Sequence, residues 1–191
     1  MANVDSPSGF KPVGHIMGGT AGRFSPTRYR MQSGYAGASI FTGDMVVLTS
    51  GYVVIGTDST SIPLGVFAGC QYSNAAQDNI PFQPYWPTGT VTYGSADFDC
   101  FVWDDPGIIY EVQCDTGTDY VQATHLGNFY DIETDHAGSA RTGQSGMEID
   151  LNDSGTGQWH VIGLVDRVGN AAGANAKLLV TLRRSAMLVS A

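Results

Sequence analysis

Gly43-Asp44-Met45-Val46-Val47-Leu48-Thr49-Ser50-Gly51-Tyr52-Val53-Val54-Ile55 decides the fold. Two short apolar runs, 45–48 and 52–55, stand either side of Gly51, and both are rich in β-branched side chains. Such side chains are stiff at χ1 and pack well on a pleated surface, so both runs read as strands. Gly43-Asp44 reads as the turn that enters the first of them. The same signals recur outward along the chain, at 39–41, 64–70, 99–103, 108–114, 147–151, 159–167 and 177–183. The stretch 80–86 carries Pro81 and Pro84, which confine it to a sheet edge or an irregular loop. Between 115 and 146 turn residues, small residues and charges predict a long loop with one short helical turn near 119–130. No stretch of twelve residues carries a clean 3.6-residue stripe.

Residues 1–35 have a different texture. Pro7, Pro12, Pro26 and the pair Gly18-Gly19 break any helix, and the segment reads as an extended arm with one or two short strands, such as 29–32. The expected architecture is therefore all-β: a β-sandwich or small β-barrel with long loops, an extended N-terminal arm over 1–35, and a single β-rich domain over 36–191.

Composition supports this. The 191 residues include 25 glycines, nearly twice the usual share of about 7%. Charged residues make up 14%, well under the usual figure of about 25%. Low charge combined with 8 Phe, 9 Tyr and 3 Trp excludes a disordered chain, and the poverty in Glu and Lys excludes a coiled coil. No apolar run approaches bilayer length, so no membrane span is expected. The start, MANVDSPSGFKPVG, has neither the basic nor the apolar region of a secretory signal. Cys70, Cys100 and Cys114 are odd in number and lack metal-ligand spacing, which points to reduced, buried thiols in a protein made in the cytoplasm.

Net charge is −9, and its placement says more than its size. Residues 1–30 carry Lys11, Arg23, Arg28 and Arg30 against Asp5 alone, for +3; residues 31–140 hold thirteen acids and no Lys or Arg, for −13; residues 141–191 come to +1. A body with so negative a face repels nucleic acid and anionic lipid. The basic stretch either meets an acidic partner or folds back on the chain's own acidic body. Lys11, Arg23, Arg28 and Arg30 are thus the candidate contact residues. Only Lys11 and Lys177 are lysines, and large permanent interfaces are depleted in that residue.

No catalytic constellation emerges. Asp115-Thr116-Gly117 and Asp153-Ser154-Gly155 have the triplet of aspartic proteases, but each follows ordinary turn chemistry. Asp131-Ile132-Glu133-Thr134-Asp135 has alternate acids, yet His136 and Thr142 stand where a calcium loop needs Gly and Glu. Gly143-Gln144-Ser145-Gly146 falls short of a nucleophile elbow. His15, His125, His136 and His160 are scattered. No catalytic residue, cofactor or metal ligand is expected, a looser cation site on the acids of 131–135 or on Asp104 and Asp105 is left open, and the chain is read as no enzyme. Trp86, Trp103 and Trp159 leave open a carbohydrate-binding sandwich with a stacking platform, although core tryptophans are the ordinary case.

Several stretches resemble auxiliary capsid proteins of tailed bacteriophages. They are Gly9-Phe10-Lys11-Pro12-Val13-Gly14-His15 with Gly18-Gly19, then Val102-Trp103-Asp104-Asp105-Pro106 with Tyr110-Glu111-Val112-Gln113, and Gly143-Gln144-Ser145-Gly146-Met147-Glu148-Ile149-Asp150. A fourth comprises Ile162-Gly163-Leu164-Val165, Asn170 and Gly173-Ala174-Asn175-Ala176-Lys177. The resemblance implies a head decoration, or cement, protein. Such a protein is made in the host cytoplasm and sits on the capsid exterior of the virion. It would be a homo-oligomer, a trimer before a dimer, that clamps neighbouring copies of the major capsid protein. A tail or head-fibre component is the other virion reading. If the N-terminal segment is a docking arm, deleting residues 1–30 should weaken shell binding more than folding.

Overall fold

The computed structural model describes residues 3–18, 24–57, 62–73, 81–154 and 157–183, with the backbone alone at 153 and 154. In chain order the strands are β1 (Lys11–His15), β2 (Thr27–Met31), β3 (Ile40–Phe41), β4 (Met45–Thr49), β5 (Tyr52–Ile55), β6 (Gly65–Gln71) and β7 (Phe82–Gln83). They continue as β8 (Tyr85–Trp86), β9 (Phe98–Trp103), β10 (Ile108–Gln113), β11 (Phe129–Glu133), β12 (Glu148–Ser154), β13 (Trp159–Leu164) and β14 (Lys177–Leu182). A single turn of helix, α1 (Gln122–His125), falls where one was expected. Strand makes up 46% and helix 4%, so the chain is all-β.

The first sheet runs β1-β10-β14-β13-β11-β12, and the second runs β2-β9-β6-β4-β5 with β7 beside β6. The strands β3 and β8 form a separate ribbon. Every pairing between named strands is antiparallel. Each sheet curls over its own core. In the first, a lone bridge between Cys114 and Ile149 draws β12 back toward the end of β10; in the second, β2 and β5 come into contact without hydrogen bonding as strands. Neither closes into a barrel, which leaves the sandwich of the two expected architectures.

Side-chain alternation sets the two cores. Tyr110, Val112, Leu178, Val180, Val161 and Trp159 point into the first, and Met31, Val46, Phe67, Cys100, Val102 and Trp86 into the second. Met45 and Val66 leave the second sheet on its opposite face and enter the first core, and Ile55 packs against both. That is why β6 is buried on both faces, with Gly65 through Cys70 all out of solvent.

The crossover between sheets is Asp104-Asp105-Pro106-Gly107, from β9 to β10. Asp104 accepts hydrogen bonds from Thr27 Oγ1 at 2.8 Å and Tyr29 Oη at 2.7 Å, which tie it to β2. Asp105 Oδ2 lies 3.2 Å from His15 Nε2, which ties it to β1.

The N-terminal segment is extended, and the short strand foreseen near 29–32 is there as β2. It is not a detachable arm, however. β1 is paired to β10 and β2 to β9. Phe10 is fully buried in the first core, and its N–H donates to the Gly43 carbonyl at 2.9 Å. Gly9 permits this entry: its φ is +66°, and a Cβ there would fall 2.4 Å from Ser145 Cβ. Deleting residues 1–30, expected to weaken shell binding more than folding, would therefore also cost the fold, because it removes an outer strand from each sheet. A second correction is β11, which lies inside the stretch read as a long loop with only a helical turn.

All three cysteines are free and buried. Cys70 and Cys100 face one another in register across β6 and β9. Burial pushes the Cys70 thiol far up, and the Cys100 and Cys114 thiols up to about 12, so hardly any thiolate exists at neutral pH. A disulfide-exchange reagent is expected to label none of them in the native protein and all three in denaturant. Rapid labelling of any native thiol would contradict this placement.

Candidate interaction surface

Lys11 is exposed on β1, opposite Glu111 of β10. Arg28 and Arg30 are exposed on β2, where alternation turns both outward while Tyr29 turns in toward Asp104. The structure thus places Lys11 on one sheet and the arginine pair on the other. Arg23 lies outside the described residues.

Arg28 and Arg30 share one carboxylate, with Nη1 atoms 3.4 and 2.9 Å from Asp99 on the neighbouring β9. Arg30 also donates through Nη2 to the Asp97 carbonyl at 3.0 Å. The arginine side chains stay 71% and 55% exposed, whereas Asp99 is 26% exposed. With the Asp97 carboxylate in the same cluster, bonded to Ser33 N and Tyr52 Oη, the two guanidiniums are balanced by two carboxylates of the chain itself, and exposed pairs of this kind add little stability.

Both β1 and β2 end their sheets, so the first 31 residues provide an outer strand to each. Directly after β1 the chain exposes apolar side chains, with Ile16 at 64% and Met17 at 85%. Val13, on β1 itself, is partly exposed as well.

Ahead of β1, residues 3–8 cross the first sheet as a strap. Asn3 Nδ2 donates to the carbonyls of Ala171 and Ala174 at 2.8 Å each, and its Oδ1 accepts from Ala171 N. Ser6 N donates to Gln113 Oε1, and Lys177 Nζ reaches Ser6 O at 2.7 Å and Gln113 Oε1 at 2.6 Å. Gln113 Nε2 in turn donates to Asp5 and to buried Glu148, at 2.9 and 2.6 Å. His136 Nδ1 lies 2.6 Å from Glu148 Oε2. Burial raises the Glu148 carboxyl above its usual range, opposed by the Gln113 hydrogen bond and by His136. The sequence reading missed this network. Its signal was a Gln and a Glu sitting at buried strand positions.

The residues weighed for catalysis are engaged structurally. Asp115 accepts from Gly117 N at 2.7 Å and from Leu151 N at 3.3 Å, a turn closed on its own side chain. The second triplet falls partly outside the described residues. Glu133 Oε1 accepts from the amides of Thr134 and Asp135, while Asp131 is buried opposite Asp150. Among the described residues no three His, Cys, Asp or Glu side chains converge as a ligand set. His125 Nδ1 accepts from Val121 N at 2.8 Å, closing α1. Trp86 and Trp159 are fully buried in different cores, which dissolves the three-tryptophan stacking platform. No protein-family model, curated protein or solved structure matches the chain.

Proposed function

We propose that the chain is a non-catalytic structural protein of a tailed-bacteriophage virion. It binds the capsid exterior as a homo-oligomer and ties neighbouring major capsid subunits together. The stretches that resemble auxiliary capsid proteins support this reading, as does a surface poor in lysine. The observation that carries most weight is the N-terminal segment. It supplies the outer strand of both sheets and exposes Val13, Ile16 and Met17 beside one of those edges. An outer strand offers unpaired backbone groups that a neighbouring chain can extend, and exposed apolar side chains beside it add burial on docking.

The test is the protein content of purified particles of the virus that encodes the chain, by quantitative mass spectrometry. A copy number comparable to that of the major shell protein is expected. A handful of copies would move the protein to the tail or portal, and absence would overturn the structural reading.

A further inference from the structure

Three of the chain's nine basic residues converge on one cavity, although the chain as a whole is acidic. The cavity, of about 340 Å³, lies on the outer face of the first sheet beneath the strap. Register explains the convergence. Lys11 pairs with Glu111, and Gln113 pairs with Lys177, so Lys11, Glu111, Gln113 and Lys177 emerge on one face of β1, β10 and β14. Arg167, in the turn after β13, closes one side, and Asn170 and Asn175 close another.

Among the described residues, three cations and one carboxylate line the cavity. Arg167 Nη1 holds both oxygens of Glu111, at 2.9 and 3.3 Å, so the one acidic group lining the cavity is already engaged. Lys177 Nζ gives two of its three N–H groups to Ser6 O and Gln113 Oε1. Among the described residues, Lys11 Nζ and Asn175 Nδ2 have no protein partner. Asn170, by contrast, is fully committed: it donates to Val165 O and Lys177 O and accepts from Lys177 N. It stiffens the rim and binds nothing else. Burial lowers the Lys177 pKa; Glu111 and Glu148 raise it, while Lys11 and Arg167 lower it further. All three cations line the one cavity, Lys177 is close enough to the other two to feel both, and an anion between them would relieve that repulsion.

We propose that this cavity is a binding site for a small oxyanion, held by Lys11, Arg167 and Lys177 with the Asn175 amide as an added donor. Phosphate and a free carboxylate share the required chemistry, a charged group with at least two acceptor oxygens. The site stands whether or not the chain belongs to a capsid.

The test is an NMR titration of the isotopically labelled full chain with sodium phosphate and, separately, with sodium acetate. Sodium chloride holds ionic strength constant. Saturable shifts of the Asn170, Asn175 and Lys177 amides are expected with at least one anion, and the tighter of the two identifies the source chemistry. In the double variant Lys11→Gln, Arg167→Gln, whose changes are at exposed positions, affinity should fall at least tenfold while the spectrum stays folded. Arg141→Gln, an exposed charge in a different loop, should leave affinity within twofold. Absence of saturable shifts with both anions would overturn the site. So would an equal loss in Arg141→Gln, since the effect would then be bulk charge alone.

Discussion

Replacing Phe10 by alanine is expected to lower the free energy of unfolding by about 3–5 kcal/mol, the range for removing a fully buried aromatic. Phe10 is 0% exposed and lies flat on Trp159, with ring centroids 3.9 Å apart and planes 15° from parallel. Tyr110 meets both rings edge-on, at 6.4 Å from Phe10 and 5.5 Å from Trp159. Removing the ring forfeits its transfer energy, leaves a cavity between two large side chains that cannot slide together, and loses both aromatic contacts. Urea unfolding checks this through a lower midpoint at unchanged slope. Val4→Ala is the control: Val4 is 76% exposed in the same segment, and its loss should stay within about 0.5 kcal/mol. If Phe10→Ala cost less than about 1 kcal/mol, the segment would be an arm after all, and removing residues 1–30 would spare the fold. The packing says otherwise. That deletion takes away Phe10, β1 and β2, and strips Asp104 of its partners Thr27 and Tyr29.

The N-terminal segment shows where reading a sequence reaches its limit. Its prolines and glycines exclude helix correctly, and they equally suit a free arm or an outer strand. Only the partners distinguish the two, and Trp159 and Gly43 are remote in sequence from Phe10. β-branched runs fared better. β4, β5, β6, β9, β10, β13 and β14 were legible because alternation or continuous apolarity is a local property, while Pro81 and Pro84 left 80–86 open between a sheet edge and an irregular loop. β11 was missed for a physical reason. Phe129, Tyr130 and Ile132 signal a strand, but Asp131 and Glu133 interleave with them and read as loop, and the structure sets those two acids opposite Asp150 and Glu148. Like charges facing each other across a ladder is a pairing that local preference disfavours. The oxyanion cavity was equally hidden. Lys11, Arg167 and Lys177 form no motif along the chain, and only the β1-β10-β14 register gathers them. The stretches that resemble capsid proteins prove to touch one another: Gly9 packs on Ser145, His15 meets Asp105, and Gln113 joins Glu148 to Lys177. Those residues hold the body together, so the docking role rests on the exposed edges beside them.

Asp44 should give the chain a pH dependence opposite to ordinary acid denaturation. The residue is 3% exposed at the start of β4, where Oδ2 accepts from the Phe41 amide at 2.7 Å. Burial raises its pKa from 3.8 to about 6, against the lowering effect of that amide and of a hydrogen bond from Ser145. The folded state therefore holds this proton more tightly than the unfolded chain does. The resulting stabilisation is complete below the unfolded value, 3.8, and is lost as pH rises through the folded value, about 6. A tenfold difference in proton affinity between the two states corresponds to about 1.4 kcal/mol, so the loss between about pH 4 and pH 7.5 amounts to about 2–3 kcal/mol. Other carboxylates titrate over the same range, and Asp44→Asn separates them. Asparagine can still accept from the Phe41 amide, and it carries no charge to bury. The stability of the native chain minus that of Asp44→Asn, from urea midpoints at the two pH values, should therefore fall by about 2–3 kcal/mol on going to the higher pH. A difference that stays level across that range would mean that Asp44 keeps its charge in the folded protein, and that the turn entering β4 is solvated rather than sealed by Phe41 and Ser145.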